Sequence, residues 1–246
     1  MDMLLKIIYS AAITGLLAAL IYKKKYLDKW GVFGSSVMAF TILFLADLKW
    51  LLLLISFLVL GSLVSKMGYG FKKTIKMAES RRSLKNVLAN GLMAILFVLA
   101  YSSGFITEEI ALVGYVGAIA AANSDTFSSE LGMLSRETPR LISNFKTVKT
   151  GTDGGITVCG TFAGLLGSFL IGLLAYALFN DILMFWTATI SGMIGNFADS
   201  FLGAFFERKG ILNNEHVNFM ATLSGGTFAV FKVRLGIVRF NNLLCL

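Results

Sequence analysis

The chain has little of what punctuates, crosslinks or solvates an ordinary globular domain. There is one proline in 246 residues, Pro139, and two cysteines, Cys159 and Cys245. The cysteines are far apart, sit in or beside apolar segments and lack ligand spacing, which excludes a disulfide framework and a zinc site. The single histidine, His216, reads as an interfacial residue more readily than as a substrate contact. With histidine and cysteine absent at catalytic spacing, a nucleophile–base triad is disfavoured. Charge is scarce too, at 15% of residues against about 25% in soluble domains. What fills the gap is apolar: 56% of the chain is hydrophobic and the mean hydropathy is +0.76. So much apolar surface calls for lipid as solvent.

A membrane helix needs about 20 mainly apolar residues. Candidate runs lie at Leu4–Tyr22, Trp30–Ala46, Trp50–Ser65, Val87–Ser103, Ile110–Ala122, Ile156–Phe179, Ile182–Phe206 and Val217–Phe231, the fifth being the least secure. The expected fold is an all-α polytopic membrane protein of seven or eight transmembrane helices, forming one domain over 1–246. After the first run come Lys23, Lys24 and Lys25 without a small-residue cleavage pattern, which reads as a retained anchor.

The net charge of +8 raises nucleic acid as a partner, but its distribution argues for none. Of the 22 Lys and Arg residues, four fall in 22–29, seven in 66–85, four in 136–149 and two in 208–209. The positive-inside rule puts these four alternate loops in the cytoplasm and the N-terminus outside, with a prokaryotic cell membrane as the expected location. Segment 66–85 is either an amphipathic surface helix, with Lys72, Lys73, Lys76, Arg81 and Arg82 near anionic headgroups, or a plain topogenic loop.

Four polar clusters interrupt the apolar helices, all at the inferred cytoplasmic ends. An ionisable group in mid-membrane costs on the order of 2.5–3.5 kcal/mol on insertion scales, so each cluster calls for a reason. Asn86 and Asn90, in NVLANG, share a helix face, and an interhelical hydrogen-bond pair explains them nearly as well as a ligand does. AANSDTFSSELG, residues 121–132, brings Asn123, Ser124, Asp125, Ser128, Ser129 and Glu130, an oxygen-rich set suited to Mg²⁺ with substrate phosphates.

The third cluster, residues 143–157, joins Lys146 and Lys149 to Gly151, Thr152, Asp153, Gly154 and Gly155, ahead of an apolar helix whose free N–H groups favour phosphate. It lacks P-loop spacing. In the fourth, Asn196, Asp199, Gly203 and Glu207 recur at three- and four-residue steps, and Asn214 and Asn218 repeat the step after a turn. Together these residues supply carboxylates for a divalent metal, cations for phosphate and amides for orientation, an inventory that suits phosphoryl transfer.

On the strings VLANG, AANSDTFSSELG, PRLISNFKTVKTGTDGGIT, GNFADSFLGA and NNEHVNF, covering about residues 82–225, the chain resembles an integral-membrane family that contains chloroplast phytyl-phosphate kinase. The resemblance implies a multi-span helical fold and phosphorylation of an isoprenoid monophosphate to the diphosphate, with CTP or another nucleoside triphosphate as donor. Carried over, it places Asp125, Glu130, Lys146, Lys149, Asp153, Asn196, Asp199, Asn214 and Asn218 in the site. Lys232, Arg234 and Arg239 depart from the pattern by interrupting the last apolar run.

The resulting expectation is a Mg²⁺-dependent prenyl-phosphate kinase. Asp125, Asp199, Lys146 and Lys149 are its catalytic residues, and Asp125, Asp199, Glu130 and Glu207 its metal ligands. Asn90, Asn123, Ser124, Gly151, Thr152, Asp153, Gly154, Gly155, Asn196, Ser200, Arg208, Asn214 and Asn218 form its phosphate-binding set. Two alternatives stand beside it: a CTP-dependent cytidylyltransferase making a CDP-lipid, and a transporter or flippase of a phosphorylated lipid. Membrane lipids are expected partners, and the Gly160, Gly164 and Gly167 face can pack helices within one chain or between chains of an oligomer.

Overall fold

Side-chain oxygens set most helix starts in this chain. The computed structural model describes residues 2–75, 77 and 81–234. Asp28, Asp47, Ser83, Thr107, Thr157 and Asp181 each accept a hydrogen bond from a first-turn N–H. Such caps satisfy donors that hydrocarbon cannot. They open α2 (Lys29–Leu45), α3 (Leu48–Lys66), α5 (Leu84–Ser102), α6 (Glu108–Gly132), α7 (Val158–Phe179) and α8 (Ile182–Phe205). Before and after these run α1 (Met3–Lys24) and α9 (Asn214–Arg234), and a short α4 (Tyr69–Thr74) follows α3.

Every expected apolar run is thus a helix. Among the described residues, α1, α3, α5, α6 and α7 are long and apolar enough to cross a membrane, and α2 is a shorter apolar helix. Helices α8 and α9 are as long, at 24 and 21 residues, but carry the fourth polar cluster. Lys232 lies inside α9 without breaking it, whereas Arg239 and Lys76 lie outside the described residues. The chain is not wholly helical: Arg140–Leu141 (β1) pairs antiparallel with Gly155–Ile156 (β2).

The least secure run becomes the central helix. In α6 89% of the apolar stretch is buried inside the protein, against 39% in α3, α5 and α7 and 6% in α1. Its small residues explain this. A Cβ on Gly117 would lie 2.7 Å from the Gly225 carbonyl oxygen of α9, and one on Gly192 of α8 would lie 2.9 Å from that of Ala120. Backbones that close exclude lipid, so packing rather than bilayer contact holds α6. Along α7, Gly160, Gly164 and Gly167 meet the α6 backbone at Ser128, Ser124 and Asn123, so this face packs within the chain.

The four basic connections meet at one end of the bundle. Arg82 N–H donates to the Tyr26 carbonyl (3.2 Å) and Asp28 N–H to that of Arg82 (3.1 Å), tying the loop after α1 to the segment before α5. Lys72 of α4 pairs with Glu130 near the end of α6, and Gly154 of the α6–α7 loop lies against Ala204 of α8.

Candidate functional site

At that end lies a cavity of about 310 Å³, and all four polar clusters contribute to its wall. Asn86 and Asn90 come from α5, and Asp125, Ser128, Ser129 and Glu130 from α6. The α6–α7 loop adds residues 150–157, α8 adds Asn196, Asp199 and Ser200, and Glu207, Asn214 and Asn218 close the far side.

Local structure explains the convergence. The 121–132 cluster is the continuation of α6, so its side chains are held on a packed helix. Asp125 and Asp199 face one another across α6 and α8, close enough to share a hydrogen bond. Among the described residues, the buried Asp199 Oδ2 has no hydrogen-bond partner. The glycine loop folds over them. Gly154 has φ +71°, a left-handed conformation that suits glycine, and a Cβ on Gly203 of α8 would sit 2.8 Å from the Gly154 nitrogen. The β1–β2 pair and a bond from Ile142 N–H to the Gly154 carbonyl (3.0 Å) fix the loop there.

Carboxylates dominate the electrostatics. Burial pushes Glu207 up to about 7, with Asp153, Asp125 and Glu215 adding repulsion. Burial also raises Asp153, while the nearby Arg208 opposes the rise. This wall is built to take positive charge, and phosphates would need a cation beside it.

Several expected site residues serve elsewhere. Asn123 is fully buried and donates to the Gly167 carbonyl (2.8 Å), and Ser124 donates to that of Gly164 (2.8 Å). Both bind α6 to α7 and do not line the cavity, because buried polar groups in a helix interface must find partners there. Lys146 and Lys149 are exposed on the outer side of their loop, and Arg208 is exposed too; none of the three lines the cavity. The start of α7 is not open to phosphate: Glu137 accepts from Val158 N–H (2.8 Å) and Cys159 N–H (3.1 Å), and Thr157 accepts from Gly160 N–H. A carboxylate of the chain itself therefore occupies that anion position.

Segment 66–85 also departs from expectation. Its helix, α4, has six residues, and Lys72 is not at the headgroups but buried at 1% exposure, paired with Glu130. Glu130 thus faces an ammonium group as well as the cavity. Arg82 turns inward, its guanidinium 5.1 Å from the Phe57 ring centroid and within 3.4 Å of Thr126 Oγ1. It is a cation of the cavity wall that hydropathy reasoning assigned to the surface. The available signal was its position, one residue before the Ser83 cap of α5.

Among the described residues no three Asp, Glu, His or Cys side chains converge on one ion. The facing pair Asp125 and Asp199, with the amide of Asn196 on the same wall, still fits Mg²⁺, which takes one or two protein carboxylates and fills its shell with water and phosphate.

The model of a family described as "Integral membrane protein DUF92" matches residues 12–226. An uncharacterized membrane protein of Methanocaldococcus jannaschii is 55% identical over 230 residues, covering 94% of this chain and 95% of that protein. Protein PGR of Arabidopsis thaliana is 33% identical over 83% of this chain and 80% of its own length. The chloroplastic protein VTE6 of Arabidopsis thaliana is 30% identical over 73% of this chain and 57% of its own length. No solved structure gives a significant match.

Proposed function

The chain belongs to the DUF92 family of integral membrane proteins, and on that premise we propose that it is a membrane kinase. It transfers the terminal phosphoryl group of a nucleoside triphosphate, CTP being the expected one, to a prenyl monophosphate at the cytoplasmic face. The observation that carries this reading is one cavity in which four polar clusters, distant in sequence, share a wall at the basic end of an apolar bundle. The likeness to a chloroplastic relative supports it, in line with the resemblance noted in the sequence.

The chain's own residues have few chemical tasks. The acceptor phosphate, with a second pKa near ~6 by analogy with phosphoresidues, is already a nucleophile at neutral pH. A strong general base is unnecessary, which agrees with a single histidine. One acceptor oxygen bonds to the terminal phosphorus as its bond to the bridging oxygen breaks, and the nucleoside diphosphate leaves. Asp125 and Asp199 would hold Mg²⁺, with Glu207 beside them, and the bound ion would neutralise charge on the phosphates. Asn90, Asn196, Asn214 and Asn218 orient oxygens, and Arg82 supplies a cation. Lys146 and Lys149 stand outside the wall, so their part is to attract the nucleotide to the mouth, not to touch the transferred group.

Detergent-purified protein incubated with prenyl monophosphate, Mg²⁺ and CTP should give prenyl diphosphate and CDP by mass spectrometry. Asp125→Ala should lower turnover by about 100-fold or more, the scale of losing a group that stabilises transition-state charge, while the protein elutes unchanged from gel filtration. A CDP-lipid with pyrophosphate would point to cytidylyl transfer instead, and uptake into vesicles without nucleotide consumption to transport. Full activity in Asp125→Ala would remove the proposed metal site.

A further inference from the structure

A second, apolar crevice opens beside the polar cavity, and the two share Arg82 and Asn86. Leu17 and Ala18 of α1, Met38 of α2, Leu54 and Leu58 of α3, and Gly91 of α5 form much of its wall. Where serines reach it, their hydroxyl protons are already used: Ser35 and Ser36 donate to the Val32 carbonyl of their own helix. The crevice is small, about 60 Å³ against about 310 Å³ for the cavity and less than the roughly 150 Å³ that takes one benzene ring, so it admits only the first carbons of one hydrocarbon chain. Its outer wall is α1, a helix with only Ser10 and Thr14 buried, so lipid surrounds the entrance.

Arg82 sits where the two spaces meet. Its backbone is pinned to the α1–α2 connection, and its guanidinium lies over Phe57 of α3 and reaches Thr126 of α6. Gly61 makes room for it, since a Cβ there would lie 2.6 Å from Arg82 Nη2. A guanidinium at the junction of a hydrocarbon slot and a polar cavity matches a molecule with a phosphate on one end of a single chain.

We infer that this crevice holds the phosphate-proximal carbons of the acceptor's hydrocarbon chain, the rest lying in lipid, and that Arg82, at its inner end, reads the acceptor's phosphate. The inference rests on the kinase reading, but its test needs no turnover. Full-length protein in nanodiscs would be irradiated with a prenyl monophosphate carrying a diazirine on the isoprene unit next to the phosphate, and the adducts mapped by mass spectrometry. Adducts are expected on α1 and α3 residues of the crevice, Leu17 and Leu54 among them. Excess unlabelled prenyl phosphate should displace them, and the corresponding neutral alcohol should not.

Ala18→Trp or Leu58→Trp should reduce these adducts about tenfold, the factor that 1.4 kcal/mol represents. Ala19→Trp, on the exposed side of the same helix, should leave them unchanged. Arg82→Gln should abolish the advantage of the phosphate over the alcohol. Adducts spread over all lipid-facing helices, or displaced equally by phosphatidylcholine, would mean bulk membrane lipid only and overturn the inference. Crevice adducts without phosphoryl transfer would sink the kinase reading and leave the crevice standing. Transfer with adducts elsewhere would do the reverse.

Discussion

Glu207 titrates near 7 because it is half-buried among other acids, and the sign of its effect on stability follows from that shift. Its ordinary value is 4.5, so the folded protein binds the proton more tightly than the unfolded chain. The stabilisation is fully present below about pH 4.5 and is lost as pH rises through about 7. Asp153, raised in the same direction, adds to the trend. Metal-free protein should therefore melt at a lower temperature at pH 7.5 than at pH 5.5, and Glu207→Gln should flatten the difference. A melting temperature that rises over this range, or a Gln variant with the wild-type slope, would show that other groups set the pH dependence. At this scale Asp125 and Asp199 were legible, because charge inside an apolar helix is conspicuous and both face the cavity. The turning of Lys72 and Arg82 inward was not legible, since a basic run looks the same whether its side chains meet headgroups or a buried acid. Asn123 and Ser124 misled for a similar reason: composition does not tell a ligand contact from a bond to a neighbouring helix.

Helices were readable from apolar run length, and each expected run begins within three residues of the start of its helix. The exception was the C-terminal limit of the fifth, where Ala, Gly, Ser and Asn lower the hydropathy of a segment that faces protein instead of lipid. Helix α6 extends ten residues beyond Ala122, to Gly132, and that extension carries Asp125 into the cavity. The glycine loop was legible as a close-approach element, but its partner was not. It packs against Gly203 and Ala204 of α8. A β-branched residue in that contact should lift the loop. Gly203→Val is expected to cost about 1–3 kcal/mol, typical of overpacking, and to speed tryptic cleavage at Lys146 and Lys149. Unchanged cleavage with an unchanged melting temperature would mean that the loop is held by the β1–β2 pair alone.

Over the whole molecule, eight long helices among the described residues bring Asn90, Asp125, Asn196, Asp199, Asn214 and Asn218 to one cavity and leave apolar faces around the rest. Alternating basic loops allowed that polarity to be anticipated, and the contacts among the loops after α1, α3, α6 and α8 give it a physical basis. What sequence could not supply is the shared wall, because convergence of α5, α6, α8 and α9 depends on packing between backbones, not on any one segment. The account stands on Asp125 and Asp199 acting on one divalent cation. Mn²⁺ affinity, read by electron paramagnetic resonance with a non-hydrolysable CTP analogue present, tests this in Asp125→Asn, Asp199→Asn and the double variant. Each single change should weaken binding about tenfold or more, and the double change should be little worse than either, because contacting groups couple non-additively. Two independent losses that simply add, or single variants with wild-type affinity, would contradict a common site.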